Sequence, residues 1–268
     1  MSVQYEQLLV AVEDGVATLT LSRPERWNAL GVRMVDELRA ALEALEAAGA
    51  ARALILTGAG PRAFCSGVDL KERSALDAAA RWAHNRALND CANQLARLQI
   101  PTIAALNGLA LGGGCELTLA CDFRIAAEHA VVGLPEVGLG IIPGCGGTQR
   151  LPRLIGPTRA KELIFTARRI GAEVALGWGL VSQVVPAAEL LAAAHELAAQ
   201  LVRQSPLALA YAKAAIDVGL ESALEQGLRY ETAAIRTTLA ADDYQIGLAA
   251  FAAKTAPAFP PLAARRIA

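Results

Sequence analysis

The chain changes character at Pro157. Ahead of it, short apolar runs that end in glycine alternate with segments of helical period; behind it, helix-like segments follow one another with one brief interruption, "GLVSQVVP". This order constrains the fold more than any other feature. Strands alternating with helices build an α/β core, and a run of helices must pack as a separate helical part. In the first part "GVATLTLS" alternates apolar and small polar residues like an edge or half-buried strand. "NALGVRMVDELRAALEALEAAG" has helical spacing and reaches Gly49, a C-cap position. "ARALILTGAG" reads as a strand stopped by glycines, and "ALDAAARWAHNRALNDCANQLARLQ" as a helix stopped by Pro101. "PTIAALNGLALGG" reads as one strand running into three glycines, "CELTLACD" as a short helix, and "FRIAAEHAVVGL" as one further strand. In the second part several helical segments open on proline, which suits the first helical position. No repeat of fixed period is evident.

Composition limits what such a chain can do. With 54% hydrophobic and 19% charged residues among 268, it is a packed globular protein: one large domain, or a domain with an appendage. A net charge of −1 gives no field to recruit nucleic acid or an anionic membrane, and on so apolar a chain it points to burial between subunits. No run of about 18 uncharged apolar residues is present to span a bilayer. The N-terminal "MSVQYEQLLVAVEDG" lacks a basic region, so no presequence is expected, and "RRIA" at the C-terminus matches no anchor or peroxisomal address. A cytoplasmic location is the expectation.

Cys65, Cys91, Cys115, Cys121 and Cys145 form no C-x-x-C pair and read as small buried hydrophobes in a reducing compartment. His84, His129 and His195 stand apart, with His195 on a helix surface, so a metal centre has no support. The glycine clusters satisfy neither a dinucleotide fingerprint nor a P-loop, and Ser66 in "FCSGV" is not in a nucleophile elbow.

The stretch "LALGGGCEL" carries the chemistry. Glycine at a strand-to-helix turn lets backbone come close to a ligand, and the first amides of a helix lack partners. A carbonyl oxygen placed there would meet an oxyanion hole, and Glu116, three residues past Gly113, could approach the same pocket. Alternatively, the glycines only tighten a turn and Glu116 is a solvated first-turn acid; this stretch alone leaves the two even. "AFCSGVDLKE" offers a second donor at a strand end. "GLPEVGLGIIPGCGG" adds Glu136 in a glycine-rich loop, which moves the balance toward a site.

In their order and spacing, "RPERWNAL", "AFCSGVDLKE", "PTIAALNGLALGGGCELTLACD", "FRIAAEHAVVGLPEVGLGIIPGCGGTQRL", "PTRAKELIFTARR" and "GLVSQVVP" resemble the enoyl-CoA hydratase/isomerase (crotonase) superfamily over nearly the whole chain. The resemblance implies an α/β fold: a spiral of ββα units with a C-terminal helical region that mediates trimerisation. Residues 1–200 would form the core with the active site, and 201–268 the region for trimerisation and coenzyme A contact. It assigns oxyanion-hole amides to Val68 and Gly113 and the hydratase acid pair to Glu116 and Glu136. Glu116 is taken as base and Glu136 as acid, with the reverse assignment still open. Coenzyme A contacts fall on Ser66, Val68, Asp69, Leu70, Lys71 and Gly113, made by the backbone along Ser66 to Lys71. Phe251 and Lys254 would reach the nucleotide end, often across a subunit boundary, with Arg26 a weaker candidate.

The segment "RSALDAAARWAHNRALND" would help build the acyl pocket, where Trp82 is either lining or plain core and Cys145 a small filler nearby. Val68 is bulkier than the usual alanine and would narrow the pocket; Trp27 is a second departure. "DLKERSAL", "GLALGGG" and "AKELIFTAR" are also similar to the methylglutaconyl-CoA hydratase branch, some members of which bind RNA through a lysine-rich helix. Here "ELRAALEALEAAGAARA" is acidic and lysine-free, so no nucleic acid partner is expected.

The implied activity is an enoyl-CoA hydratase of lipid metabolism and beta-oxidation, a lyase turning 2-enoyl-CoA into 3-hydroxyacyl-CoA as a trimer or dimer of trimers. It would need no cofactor, because coenzyme A is part of the substrate. A Δ3,Δ2-enoyl-CoA isomerase is the alternative, though such enzymes often keep only the second acid. A catalytically silent scaffold of the same fold would have lost an acid or an oxyanion glycine.

Overall fold

The computed structural model describes residues 5–262. The readings made of residues 1–4 and 265–268 lie outside the described residues. The strands are β1 (Leu8–Glu13), β2 (Val16–Leu21), β3 (Ala53–Gly58), β4 (Ala63–Cys65), β5 (Thr102–Leu106), β6 (Leu109–Leu111), β7 (Phe123–Ala127), β8 (Val131–Gly133), β9 (Arg169–Gly171) and β10 (Gln183–Val185). They form a six-stranded sheet in the order β1-β2-β3-β5-β7-β10 and a four-stranded sheet in the order β4-β6-β8-β9. The hairpin β1–β2 turns on Asp14 and Gly15, both at positive φ, the geometry that matches the twist of adjoining strands. From β2 to β10 the large sheet is parallel.

The helices among the described residues are α1 (Val32–Ala48), α2 (Leu70–Ser74), α3 (Ala78–Arg97), α4 (Gly113–Leu119), α5 (Gly147–Ile155), α6 (Pro157–Phe165), α7 (Ala172–Gly177), α8 (Leu190–Val202), α9 (Pro206–Glu221), α10 (Leu224–Leu239) and α11 (Asp242–Ala253). One strand in each sheet followed by helix recurs as β3-β4-α2-α3, β5-β6-α4 and β7-β8-α5. That is the ββα spiral expected. Each passage from large to small sheet brings a strand end and a helix start to the same side, and the site forms there.

Two strand readings are corrected. "PTIAALNGLALGG" is not one strand but β5 and β6, in different sheets. Asn107 replaces a ladder partner at the step: its Oδ1 accepts from Gly58 N and its Nδ2 donates to Gly58 O. At Gly108 a Cβ would stand 2.3 Å from the Arg62 carbonyl oxygen. "FRIAAEHAVVGL" likewise divides into β7 and β8 at a turn where Ala130 N donates to Ala127 O. The first break is hidden because the strands on either side are largely buried and only Asn107 and Gly108 interrupt the apolar run; the second is marked by the exposed Glu128 and His129. β2 is not an edge strand, since β1 covers it; and β9 sits inside a stretch read as helical.

Side chains alternate across the large sheet. Leu54 and Leu56 of β3 and Ala104 and Leu106 of β5 face the larger core, with Met34, Leu38 and Leu42 of α1 and Leu88 and Leu95 of α3. Ile55, Ile103 and Ile125 face the other way, onto Leu190, Ala194 and Ala198, the i, i+4, i+8 stripe of α8. α1 ends on Gly49 at φ 59, the left-handed cap expected. All five cysteines are free and buried, as their reading as small hydrophobes requires. His195 is exposed on α8, as expected. α9 is tied to the body by Lys213 Nζ on Asp122 Oδ2 at 2.9 Å, and Arg52 Nη2 donates to the Gln204 carbonyl just ahead of α9.

Candidate active site

The turn between β4 and α2 is clamped on both sides of a single amide. Ser66 N donates to Trp27 O, Leu30 N to Gly67 O, and Asp69 N to Leu30 O, at 2.8–3.1 Å. Among the described residues the Val68 amide between them has no acceptor. The clamping stretch bends through Trp27 and Asn28 at φ 56 and 54, a conformation asparagine tolerates better than most residues. Asn28 is buried and fixes that bend: its Oδ1 accepts from Arg23 N, and its Nδ2 donates to Ala59 O and Ala63 O.

Opposite this turn, β6 runs into the three glycines. Gly112 has φ 52 and ψ −128, outside the regions open to residues with a Cβ. A Cβ there would stand 2.9 Å from Glu136 Oε1. Gly113 opens α4, and its amide also lacks an acceptor among the described residues. It lies 3.6 Å from where a Gly67 Cβ would be, so the two free amides border one space. Two such donors can receive an oxygen on which negative charge develops.

Glu116 lies one turn into α4 at 2% exposure. Its Oε1 accepts from Cys145 N at 2.7 Å and Gly147 N at 2.8 Å. α4 is braced from behind by buried Arg124, whose Nη1 donates to the Thr118 and Cys121 carbonyls. Burial raises the Glu116 carboxyl above its ordinary range, while the two amide bonds and Arg150 pull against that rise. Glu136 starts a single 3-10 turn, Glu136–Leu139, after β8 and Pro135. Its Oε2 has no partner among the described residues. Burial, with Glu116 nearby, pushes its carboxyl up to about 7. Two neighbouring acids thus differ in kind: one held by amides that favour its charge, the other stripped of water and left to keep its proton.

Both acids line one cavity of about 440 Å³ with Ser66, Gly67, Val68, Leu70, Gly113 and Cys145. Of the sequence-derived site residues, Ser66, Val68, Leu70, Gly113, Glu116 and Glu136 meet there. Asp69 does not: its buried carboxylate accepts from Lys71 N and Glu72 N at the start of α2 and pairs with Arg23 at 3.3 Å. Lys71 is exposed on α2, Arg26 in the 3-10 turn Pro24–Arg26, and Phe251 and Lys254 at the end of α11; none lines the cavity.

Trp82 is not plain core but 64% exposed, on a groove along α3 that shares Arg73, Asn85, Ile141 and Ile142 with the cavity. Cys145 is a buried filler whose thiol burial pushes up, and its amide matters more than its sulfur. Arg150, Asn89 and Asn93, which hold the loop around Cys145, were not anticipated. Their signal, asparagine at i, i+4 on α3, also describes an ordinary solvated face.

The sequence model of the enoyl-CoA hydratase/isomerase family matches residues 11–261. YngF of Bacillus subtilis is 47% identical over 247 residues, 92% of this chain and 95% of that protein. Crotonyl-CoA hydratase of Syntrophomonas wolfei is 39% identical over 250 residues, 93% of this chain and 96% of that one. A solved enoyl-CoA hydratase from Bacillus anthracis superposes with a TM-score of 0.93 at 43% identity, covering 95% of this chain and 99% of that one.

Proposed function

Because the chain belongs to the enoyl-CoA hydratase/isomerase family, we propose that its cavity adds water across the double bond of a 2-enoyl-CoA, making the protein a hydro-lyase. The observation that carries this reading is the pair of unlike buried carboxyls in one cavity with two free amides. The thioester oxygen accepts from Val68 N and Gly113 N. Glu116 takes a proton from water as the water oxygen bonds to Cβ, and the double-bond electrons move onto the thioester oxygen. Glu136 then gives its proton to Cα as the enolate collapses. One water is consumed, and the single proton ends on the other carboxyl and resets through solvent. Glu136, near 7, holds a proton to give in about half of the molecules at neutral pH; Glu116, bonded by two amides, is the better acceptor.

Ser66 and Leu70 flank the thioester and pantetheine, and Lys71 and Arg26 face the phosphates. Phe251 and Lys254 serve a neighbouring copy's coenzyme A in a trimer or dimer of trimers. The exposed Ile216, Leu220, Leu224 and Leu228 on α9 and α10 support that assembly, which sedimentation would test. The reaction needs no cofactor beyond the coenzyme A of its substrate, and its setting is fatty-acid breakdown in the cytoplasm. The test of the activity is crotonyl-CoA hydration, followed by loss of the conjugated thioester absorbance. Removing either acid by Glu116→Gln or Glu136→Gln should slow it by at least about 100-fold. A wild type inert on short, branched and aromatic enoyl-CoAs alike would overturn the reading.

A further inference from the structure

The loop whose amides hold Glu116 is itself held. Asn89 Nδ2 donates to the Gly144 carbonyl at 3.0 Å, and Arg150 Nη1 donates to the Cys145 carbonyl at 3.1 Å. These two anchors are joined to each other. Arg150 Nη2 donates to Asn93 Oδ1 at 2.8 Å, and Asn93 Nδ2 donates to Asn89 Oδ1 at 2.7 Å. The result is a closed circuit: Gly144 carbonyl, Asn89, Asn93, Arg150, Cys145 carbonyl, and back along one peptide unit. Asn85, Asn89 and Asn93 recur every fourth residue and so share one face of α3. Arg150 comes from the first turn of α5.

The loop has little stiffness of its own. Gly144, Gly146 and Gly147 surround Cys145, and Gly146 sits at φ 101. Yet it approaches the acid closely: a Cβ on Gly147 would stand 2.9 Å from Glu116 Oε1. Both amides meet Oε1 and none meets the other carboxylate oxygen, Oε2; the Cys145 thiol also hydrogen-bonds the carboxyl. We propose that Asn89, Asn93 and Arg150 are positioning residues for the base: their circuit fixes the Cys145–Gly147 turn so that two amides meet one oxygen of Glu116, leaving the other for the attacking water. The role rests on the hydratase reading only for its last clause. None of the three lines the cavity that holds the two acids; they act through the loop.

The circuit also bears on where Glu116 titrates. The groups around it are the Glu136 carboxyl after β8, the Arg150 guanidinium on α5, and the thiols of Cys115 and Cys145. Losing the aligned amides removes bonds that favour the charged form, so the acid limb of the rate profile moves to higher pH.

The test is a coupling cycle on crotonyl-CoA hydration, with one readout that needs no turnover. Asn93→Ala cuts the circuit in the middle. It should lower kcat about 10-fold while KM changes less than about twofold, and move the acid limb upward. Placed on Glu116→Gln, the same change should cost less than about twofold, because the group it aims is already gone. Equal losses in both backgrounds overturn the proposal. Arg150→Lys keeps the charge but not the fork and should behave like Asn93→Ala; retention of full rate and profile overturns it. If Asn93→Ala does not fold, Asn89→Ala opens the same circuit with the same expectations. Independently, the Cys145 and Gly147 amides should exchange hydrogen at least about 10-fold faster in the opened circuit. Unchanged exchange overturns the proposal. Accelerated exchange in a protein whose wild type hydrates no enoyl-CoA leaves the positioning of Glu116 standing and removes the hydratase reading instead.

Discussion

Replacing Glu136 by glutamine should make the protein more stable as pH rises, even as it removes activity. In the fold the Glu136 carboxyl is buried beside Glu116, with Oε2 unpartnered, and sits near 7, against 4.5 for an ordinary glutamate. A folded-state value above the unfolded one means the folded chain binds the proton more tightly. That contribution to stability is full below about 4.5 and is lost as pH climbs through 7. A displacement from 4.5 to about 7 corresponds to about 3 kcal/mol at most. Glu136→Gln carries no such group, so its stability minus that of the wild type should increase between pH 4.5 and 8 by up to about 3 kcal/mol. Groups that do not interact with Glu136 cancel in that difference; Glu116, its neighbour, titrates with it, so the slope reports the pair. Urea unfolding at a fixed protein concentration, repeated from pH 5 to pH 8.5, measures it. Any constant offset from packing the amide is irrelevant; the slope is the prediction. A flat difference, or one that falls with pH, would refute the claim that Glu136 is held protonated by its surroundings.

Three other consequences follow from the same geometry. In the hydration direction kcat/KM should decline above about pH 7, because Glu136 must hold its proton to give it to Cα, and Glu136→Gln should lack that limb in its residual rate. Gly112→Ala places a Cβ 2.9 Å from Glu136 Oε1 at φ 52; thermal unfolding should report a loss of about 1–3 kcal/mol, with turnover reduced more than KM is raised. Asn28→Ala leaves the Ala59 and Ala63 carbonyls without their donor and the Arg23 amide without its acceptor. It should destabilise by about 2–4 kcal/mol in urea and lower kcat by loosening the turn that aims the Val68 amide.

How much of this was legible in the sequence depended on whether a feature is local. The helix ending at Gly49, the strand at Ala53–Gly58 and the short helix carrying Glu116 follow from period and punctuation, and all three form. The step from β5 to β6 does not, because Asn107 reads as one polar residue in an apolar run until its partners on Gly58 and Ala63 are known. Gly112 and Glu136 lie 24 positions apart, and nothing in either stretch says that one needs the space the other leaves. Asp69 lies in the stretch expected to meet coenzyme A through its backbone, and its carboxylate has a separate local use, capping α2, that the motif does not announce. Trp82 reads as either pocket lining or core, and it is not core: it stands largely exposed on a groove that adjoins the cavity. The asparagine ladder is visible as spacing alone; its meaning comes from the loop it meets, more than fifty residues away.

The most direct test of the central claim is the fate of the solvent atoms. Crotonyl-CoA incubated with the protein in deuterated, ¹⁸O-enriched water should give 3-hydroxybutyryl-CoA with one ¹⁸O on Cβ and one deuterium on Cα. Both labels should appear at the same rate and be lost together in Glu116→Gln and Glu136→Gln. Deuterium entering carbon without ¹⁸O on Cβ would show that the two carboxyls move protons but add no water, and would contradict the account.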